Sequence, residues 1–220
     1  EDLTEEEGAI VDKYFRDSVY PVLTPMAVDP SRPFPLIRNK SLNIAALLQK
    51  KNGEKELEFA TVQVPSVLPR VFEVKRDGEG VRLILLEEII ERNMDQLFLN
   101  YNIVCAHPYR VMRNADLTID EEEAEDLLET IEKQLKQRQW GEVIKLEVEA
   151  DMDKRLLKYL KKEFAIHEKD VYLINGPLDL TFCMKISGLE GYDHLRYDKY
   201  IPKPVPAFAN DDSIFDNIKK

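Results

Sequence analysis

The residue types that most often carry chemistry are scarce in this chain of 220 residues, which holds two cysteines, three histidines and eight glycines. Cys105 and Cys183 form no CxxC pair, which removes a thiolate zinc ribbon; a single bridge between them stays open, and reduced thiols in small apolar core sites are the reading adopted. His167 and His194 have no second His or Cys at metal-ligand spacing. The glycines build neither G-x-x-x-x-G-K-[ST], nor G-x-G-x-x-G, nor G-x-S-x-G, so no phosphate-cradling loop or nucleophile elbow is visible. No apolar run approaches the ~20 residues that span a membrane, and no basic-then-apolar leader opens the chain. It begins at Glu1 rather than Met, which reads as a segment excised from a longer protein.

Positive charge is also short. Lys and Arg total 31 against 42 Asp and Glu, a net charge of −11. A surface that binds a polyanion needs a concentrated positive field, and the chain as a whole presents the opposite. Only a local basic groove would serve. The 44% hydrophobic and 33% charged fractions fit a soluble globular chain with one sizeable core.

Proline, by contrast, is concentrated. Pro21, Pro25, Pro30, Pro33 and Pro35 are five of the chain's twelve prolines, all within residues 21–43. Each fixes φ and removes a backbone donor, so this stretch cannot be a helix or a central strand. Val22, Leu23, Met26, Val28, Phe34, Leu36 and Ile37 are too apolar for a solvated linker. A rigid, extended connection pinned against a core is expected, with an ordinary Pro-rich loop as the alternative.

The rest alternates strand and helix patterns. Thr4-Glu-Glu-Glu7 has the form of a capping box ahead of Val11, Tyr14, Phe15, Ser18 and Val22, which predicts a first helix over about 5–19. Leu42, Ile44, Ala46 and Leu48 alternate as a strand that turns at Asn52-Gly53, and residues 57–64 return. Leu57 and Phe59 point to one face and Val62 and Val64 to the other, which implies a bulge or burial on both sides. A second hairpin, 71–75 with 81–86, has Asp77-Gly78 at its tip, and a helix follows from Leu86 to about Phe98. Residues 101–113 read as a strand in which Pro108 predicts an edge or a break. Asp120 and Glu123 open a helix with the stripe Ala124, Leu127, Leu128, Ile131 and Leu135. Ile144, Leu146, Val148 and Ala150 then alternate as a half-exposed strand, and Asp153 opens a helix with Leu156, Leu157, Leu160 and Phe164 inward. A short strand at 171–174, a Gly176-Pro177 turn and a helix over about 179–186 complete the pattern. Beyond Gly188 an extended run presents Tyr192, Leu195, Tyr197 and Tyr200, expected to pack on a surface outside the chain. The fold expected is α+β, a mostly antiparallel sheet of short strands with helices packed on one face.

Four separated motifs carry a family resemblance. They are V-L-T-P-x-A-V-D-P-x-x-P-F-P-x-x-x-N-x-S-L-N over residues 22–43, Tyr109 to Leu117 with the acidic helix start at 120–128, Leu146 to Met152, and Asn175-Gly-Pro-Leu-Asp-Leu180. In this order they resemble the middle, or head, domain of bacterial polyphosphate kinase, over roughly residues 10–216. The resemblance implies a parent transferase that passes the ATP γ-phosphate reversibly to polyphosphate through a phosphohistidine, using ATP and Mg²⁺. It also implies that residues 1–187 are the middle domain, with 1–20 a lead-in helix, and that 188–220 are a connector toward absent C-terminal catalytic domains. On this reading the segment is a non-catalytic, structural and dimerisation domain with no cofactor of its own. The parent would be a cytoplasmic homo-oligomer, a dimer or tetramer, with peripheral membrane association open and no nucleic-acid partner. An acidic protein-interaction domain with no kinase role is the competing reading.

His107, with Arg110 and Arg113 close by in sequence, is the tempting nucleophile. The resemblance assigns the phosphohistidine, the magnesium ligands and most ATP contacts to two C-terminal domains, and one ATP contact to an N-terminal one. His107 is therefore expected to be structural, and no catalytic, cofactor or metal residue is expected here. Glu147, Glu149 and Asp151 on one strand read as a solvated face rather than a cation site. Arg32, Arg38 and Lys40 form the one basic cluster and are the candidate polyanion contacts; pairing with the acidic surface is their alternative role.

Overall fold

Thr4 starts the first helix, α1 (Glu5–Tyr14), with a complete capping box: Glu7 N–H donates to Thr4 Oγ1 at 3.3 Å, and Thr4 N–H donates to Glu7 Oε2 at 2.9 Å. These bonds satisfy backbone donors that a helix start otherwise leaves open. In the computed structural model, which describes residues 3–28, 34–52, 56–77, 80–114, 141–203 and 213–219, the chain continues through a π-helical turn (Phe15–Val19) and a 3₁₀ turn (Tyr20–Val22). Val11, Phe15 and Val19, four residues apart, keep one face fully buried across that change of winding.

The proline stretch then yields β1 (Pro25–Val28), an edge strand paired antiparallel with β3 (Leu57–Gln63). An edge tolerates the donor that Pro25 lacks, because one side has no ladder to satisfy. The main sheet runs β1-β3-β2-β6-β7-β8, with β2 at Leu42–Lys50, β6 at Tyr101–Arg113, β7 at Val143–Glu149 and β8 at Val171–Ile174. Every pairing is antiparallel except β7 with β8, which are parallel and joined through α4 (Lys154–Glu163). A separate hairpin, β4 (Val71–Asp77) and β5 (Gly80–Leu85), precedes α2 (Leu86–Arg92) and α3 (Met94–Leu97).

The sheet is mostly antiparallel and the class α+β, as expected, but helices cover both faces rather than one. Val11, Phe15, Val19, Leu86, Ile89 and Met94 pack on Ile44, Ala46, Leu48 and Val62. Leu156, Leu160 and Phe164 of α4 pack with Ala45, Leu47, Phe59 and Tyr109. The sequence hint was residue 45 and residue 47: β2 is buried continuously from Leu42 to Leu48, as a strand covered twice must be. The β2–β3 register runs without a shift, so the split pattern of β3 reflects two-sided burial, not a bulge.

Pro108 does not break β6, which runs unbroken and lies inside the sheet. It pairs with Ile44 of β2, while pairing with β7 begins at Tyr109. The residue without a donor thus sits where β6 is about to acquire its second neighbour. Between Met112 and Arg113 the register with β7 slips, Arg113 facing Val143. That slip buries Val143 and turns Ile144 out to 51% exposure, against the simple alternation expected. The helix expected from 86 to 98 is divided at Asn93, whose side-chain amide donates to the Ile89 carbonyl at 3.0 Å. The helix expected after Asp120 and the tips at Gly53 and Gly78 lie outside the described residues.

The chain divides into a unit of Glu1–Cys183 and a smaller one of Met184–Lys220. A short helix, α5 (Cys183–Ser187), spans the division. Within the smaller unit Arg196 closes a loop by donating to the Ser187 carbonyl at 2.7 Å and to Asp193 Oδ1 at 2.8 Å. Tyr197, Tyr200 and Ile201 are exposed, and a last helix, α6 (Ile214–Ile218), follows. Among the described residues no helix is long and apolar enough to cross a membrane.

Candidate functional site

The segment that joins the proline stretch to β2 is held down by the end of β6. Arg113 Nε donates to the Ile37 carbonyl at 2.9 Å, and its backbone N–H donates to Asn39 Oδ1 at 3.0 Å. Lys40 N–H donates to the Val111 carbonyl at 2.9 Å, and Arg110 Nε donates to the Lys40 carbonyl at 3.1 Å. The Ser41 hydroxyl closes the turn on the Arg38 carbonyl at 2.9 Å. Lys40 sits at φ 60°, a left-handed conformation uncommon for a residue with a Cβ. Ile37 is buried beneath, while the side chains of Arg38 and Lys40 are exposed. They line a groove of about 520 Å³ together with Ser41, Ser66, Arg70 and Thr181. Arg32 lies outside the described residues.

Beside this groove runs a chain of alternating charges. Glu87 accepts from Arg70, whose Nη1 lies 3.7 Å from Asp179 Oδ2. Asp179 Oδ1 lies 3.8 Å from Arg110 Nη2, and Arg110 Nη1 donates to Glu147 at 3.1 Å. Lys145 completes the series by donating to Glu147 at 2.6 Å. Burial opposes ionisation of Glu147, but the hydrogen bonds from Lys145 and Arg110 outweigh it and hold its carboxyl below the ordinary value. Arg70 also donates to the carbonyls of Leu178 and Asp179, and its guanidinium lies 5.0 Å from the Phe182 ring centre. The Asn175–Leu180 motif is thereby tied to β4 and α2, elements about 100 residues earlier in the chain. It borders a second cavity of about 590 Å³ that includes Arg110 and Glu147.

The acidic strand face is not solvated as expected. Glu147 is taken by Arg110 and Lys145, and its side chain is 13% exposed. Glu149 instead meets His107, with Nδ1 3.3 Å from Oε2. His107, Glu149 and Asp151 bring their ligand atoms within 4.8 Å of one another, a grouping that the strand-face reading missed because His107 comes from β6. Glu91 of α2 is close enough for its carboxyl to be affected by Glu149 and Asp151, after burial as the largest effect, and it is pushed up to about 9. Of the two thiols, Cys105 is half-buried and packs against the α4-side core. Cys183 is exposed, which corrects its assignment as a core residue.

Arg70 and Glu87 were not singled out by the sequence reading. A lone Arg after Pro69 and a Glu at the start of an apolar helix carry no motif, and their pairing across 17 residues is a tertiary fact. Asp179 did carry a signal, since it lies inside the Asn175–Leu180 motif.

A family model described as the polyphosphate kinase middle domain matches residues 6–186. The polyphosphate kinase of Lactiplantibacillus plantarum is 48% identical over 219 residues, covering 99% of this chain and 30% of the relative. That of Halalkalibacterium halodurans is 42% identical over 223 residues, covering 100% of this chain and 32% of the relative. The more distant polyphosphate kinase of Pseudomonas putida is 36% identical over 213 residues, covering 96% and 29%. The chain thus spans about 30% of the length of the curated relatives it matches. Among solved structures, the crystal structure of polyphosphate kinase from Porphyromonas gingivalis superposes with a TM-score of 0.69, over 93% of this chain and 28% of that one. At 21% identity this is a likeness of fold.

Proposed function

We propose a function on the premise that this chain belongs to the polyphosphate kinase family, as its middle domain: it is the supporting, non-catalytic part of an enzyme that transfers the ATP γ-phosphate to polyphosphate. The match over residues 6–186 carries this reading. In the whole enzyme the transfer would be reversible and would pass through a phosphohistidine on domains outside this chain, with ATP and Mg²⁺ bound there. Residues 1–187 would form the domain and 188–220 the connector toward its catalytic neighbours. The two packed faces of the sheet suit a rigid spacer, and the exposed Tyr197, Tyr200 and Ile201 suit a segment that docks on another domain. Dimerisation and a cytoplasmic setting belong to the same reading. His107 supports it from the other side: its Nδ1 faces Glu149, and its side chain is only 17% exposed, so an incoming γ-phosphate has poor access to that nitrogen.

The test is an ATP- and Mg²⁺-dependent polyphosphate assay on this chain alone, with γ-³²P label followed on the protein. No polyphosphate and no label on His107 are expected. Measurable turnover, or phosphate on His107, would place the chemistry inside this chain and overturn the reading.

A further inference from the structure

We propose that the groove beside the proline stretch is a contact site for condensed phosphate, a chain of linked phosphate groups, through Arg38 and Lys40, the two cations on its rim with no carboxylate partner among the described residues. This rests on the middle-domain reading and names the residues through which that domain would touch substrate.

Charge accounting singles out these two residues. Of the other charged groups that line the groove, Arg70 is committed to Glu87 and to two backbone carbonyls, and Asp179 lies between Arg70 and Arg110. Those charges offset one another. Arg38 and Lys40 have no carboxylate partner among the described residues, so they leave two uncompensated positive charges on the rim of a chain whose net charge is −11. An anionic ligand is drawn to that local excess and repelled by the surrounding surface, which makes the position selective.

The backbone beneath the two cations is already ordered. Bonds from Arg113, Arg110 and Val111 of β6 hold residues 37–40, and the turn at Lys40 is closed by Ser41. Binding therefore requires ordering of two side chains and no loop, which lowers its entropic cost. Ser66 and Thr181 add hydroxyl donors for non-bridging oxygens. Among the described residues no aromatic side chain lines the groove, so they offer no platform on which a base would stack. Its volume of about 520 Å³ lies within the ~300–1,000 Å³ of small-ligand sites. These features favour the phosphate chain over the nucleoside of a nucleotide.

Calorimetric titration of this chain with tripolyphosphate, pyrophosphate and ADP provides the test, across a series of salt concentrations. Saturable tripolyphosphate binding is expected, with log K falling against log salt at a slope of about −2, one unit for each cation. R38Q/K40N should weaken it roughly tenfold; Asn tolerates the left-handed turn that Lys40 occupies. K154Q/K158Q, which removes two exposed charges from α4, should leave it within about twofold. Absence of binding, a flat salt dependence in the unaltered chain, or equal weakening by both double variants overturns the proposal. ADP binding tighter than pyrophosphate overturns the assignment to a phosphate chain. Failure of the middle-domain reading would instead appear as turnover by the isolated chain, so the two failures are distinguishable.

Discussion

Arg70 and Glu87 form a two-point pair, with Nε 3.1 Å from Oε2 and Nη2 2.5 Å from Oε1, and the Glu87 side chain is 4% exposed. The same guanidinium holds the carbonyls of Leu178 and Asp179, so one side chain joins the β4 start, α2 and the Asn175–Leu180 motif. Arg70→Ala leaves a buried carboxylate unpaired and should cost about 3–5 kcal/mol by urea unfolding. Arg70→Lys should recover part of that, because an ammonium cannot reproduce the planar fork. A loss below about 1 kcal/mol for Arg70→Ala would mean that the pair does not support the fold.

Thr61 and Tyr109 meet at 3.0 Å in the fully buried interior, and the Thr61 hydroxyl also donates to the Ile44 carbonyl at 3.1 Å. Burial pushes the Tyr109 phenol up, beyond the ordinary range, although the Thr61 bond opposes this. Tyr109→Phe leaves Thr61 with a partner and should cost about 1 kcal/mol. Thr61→Val strands a buried phenol and should cost more, about 1–3 kcal/mol. The opposite order in thermal unfolding would refute this donor arrangement.

Glu91 makes stability depend on pH. Burial, then Glu149, Glu88, Glu87 and Asp151, raises its carboxyl from 4.5 to about 9, and its buried Oε1 has no hydrogen-bond partner among the described residues. Between those values the folded chain holds a proton that the unfolded chain has lost. Stability from this group is therefore full below about 4.5 and declines as pH rises toward 9, by up to about 1.4 kcal/mol per pH unit. Glu91→Gln removes that slope, so it should gain on the parent chain at pH 8 and not at pH 4. A difference that stays flat across pH would show that Glu91 is ionised in the fold.

Leu160 is fully buried on the α4 face. Leu160→Ala should cost about 2–5 kcal/mol, the range for a core cavity. A change within about 0.5 kcal/mol, as for a surface site, would mean that only the α1–α2 face forms a core.

Local signals were the legible part of the fold. The capping box at Thr4, the hairpin at residues 71–85, the Asp153 cap and the strand at 171–174 all depend on residues a few positions apart. Pro108 and Ile144 misled for a shared reason. Whether a strand residue needs a donor, or faces the core, depends on which neighbour lies beside it, and the neighbour of β6 is 30 or more residues away. The basic site was half legible: Arg38 and Lys40 stand out in sequence, but that they lack acidic partners among the described residues shows only once Arg70 and Arg110 are seen to occupy Asp179.

By itself the sequence determined the family, through motifs whose order survives in the chain, and the periods and caps of the individual helices and strands, which are set by sterics and hydrogen bonds within a few residues. Only the tertiary structure decided that both sheet faces are covered, that His107 meets Glu149, and that among the described residues Arg38 and Lys40 have no carboxylate partner while their neighbours cancel. Burial and charge compensation are sums over everything packed around a residue, and chain neighbours supply only a small part of that surrounding.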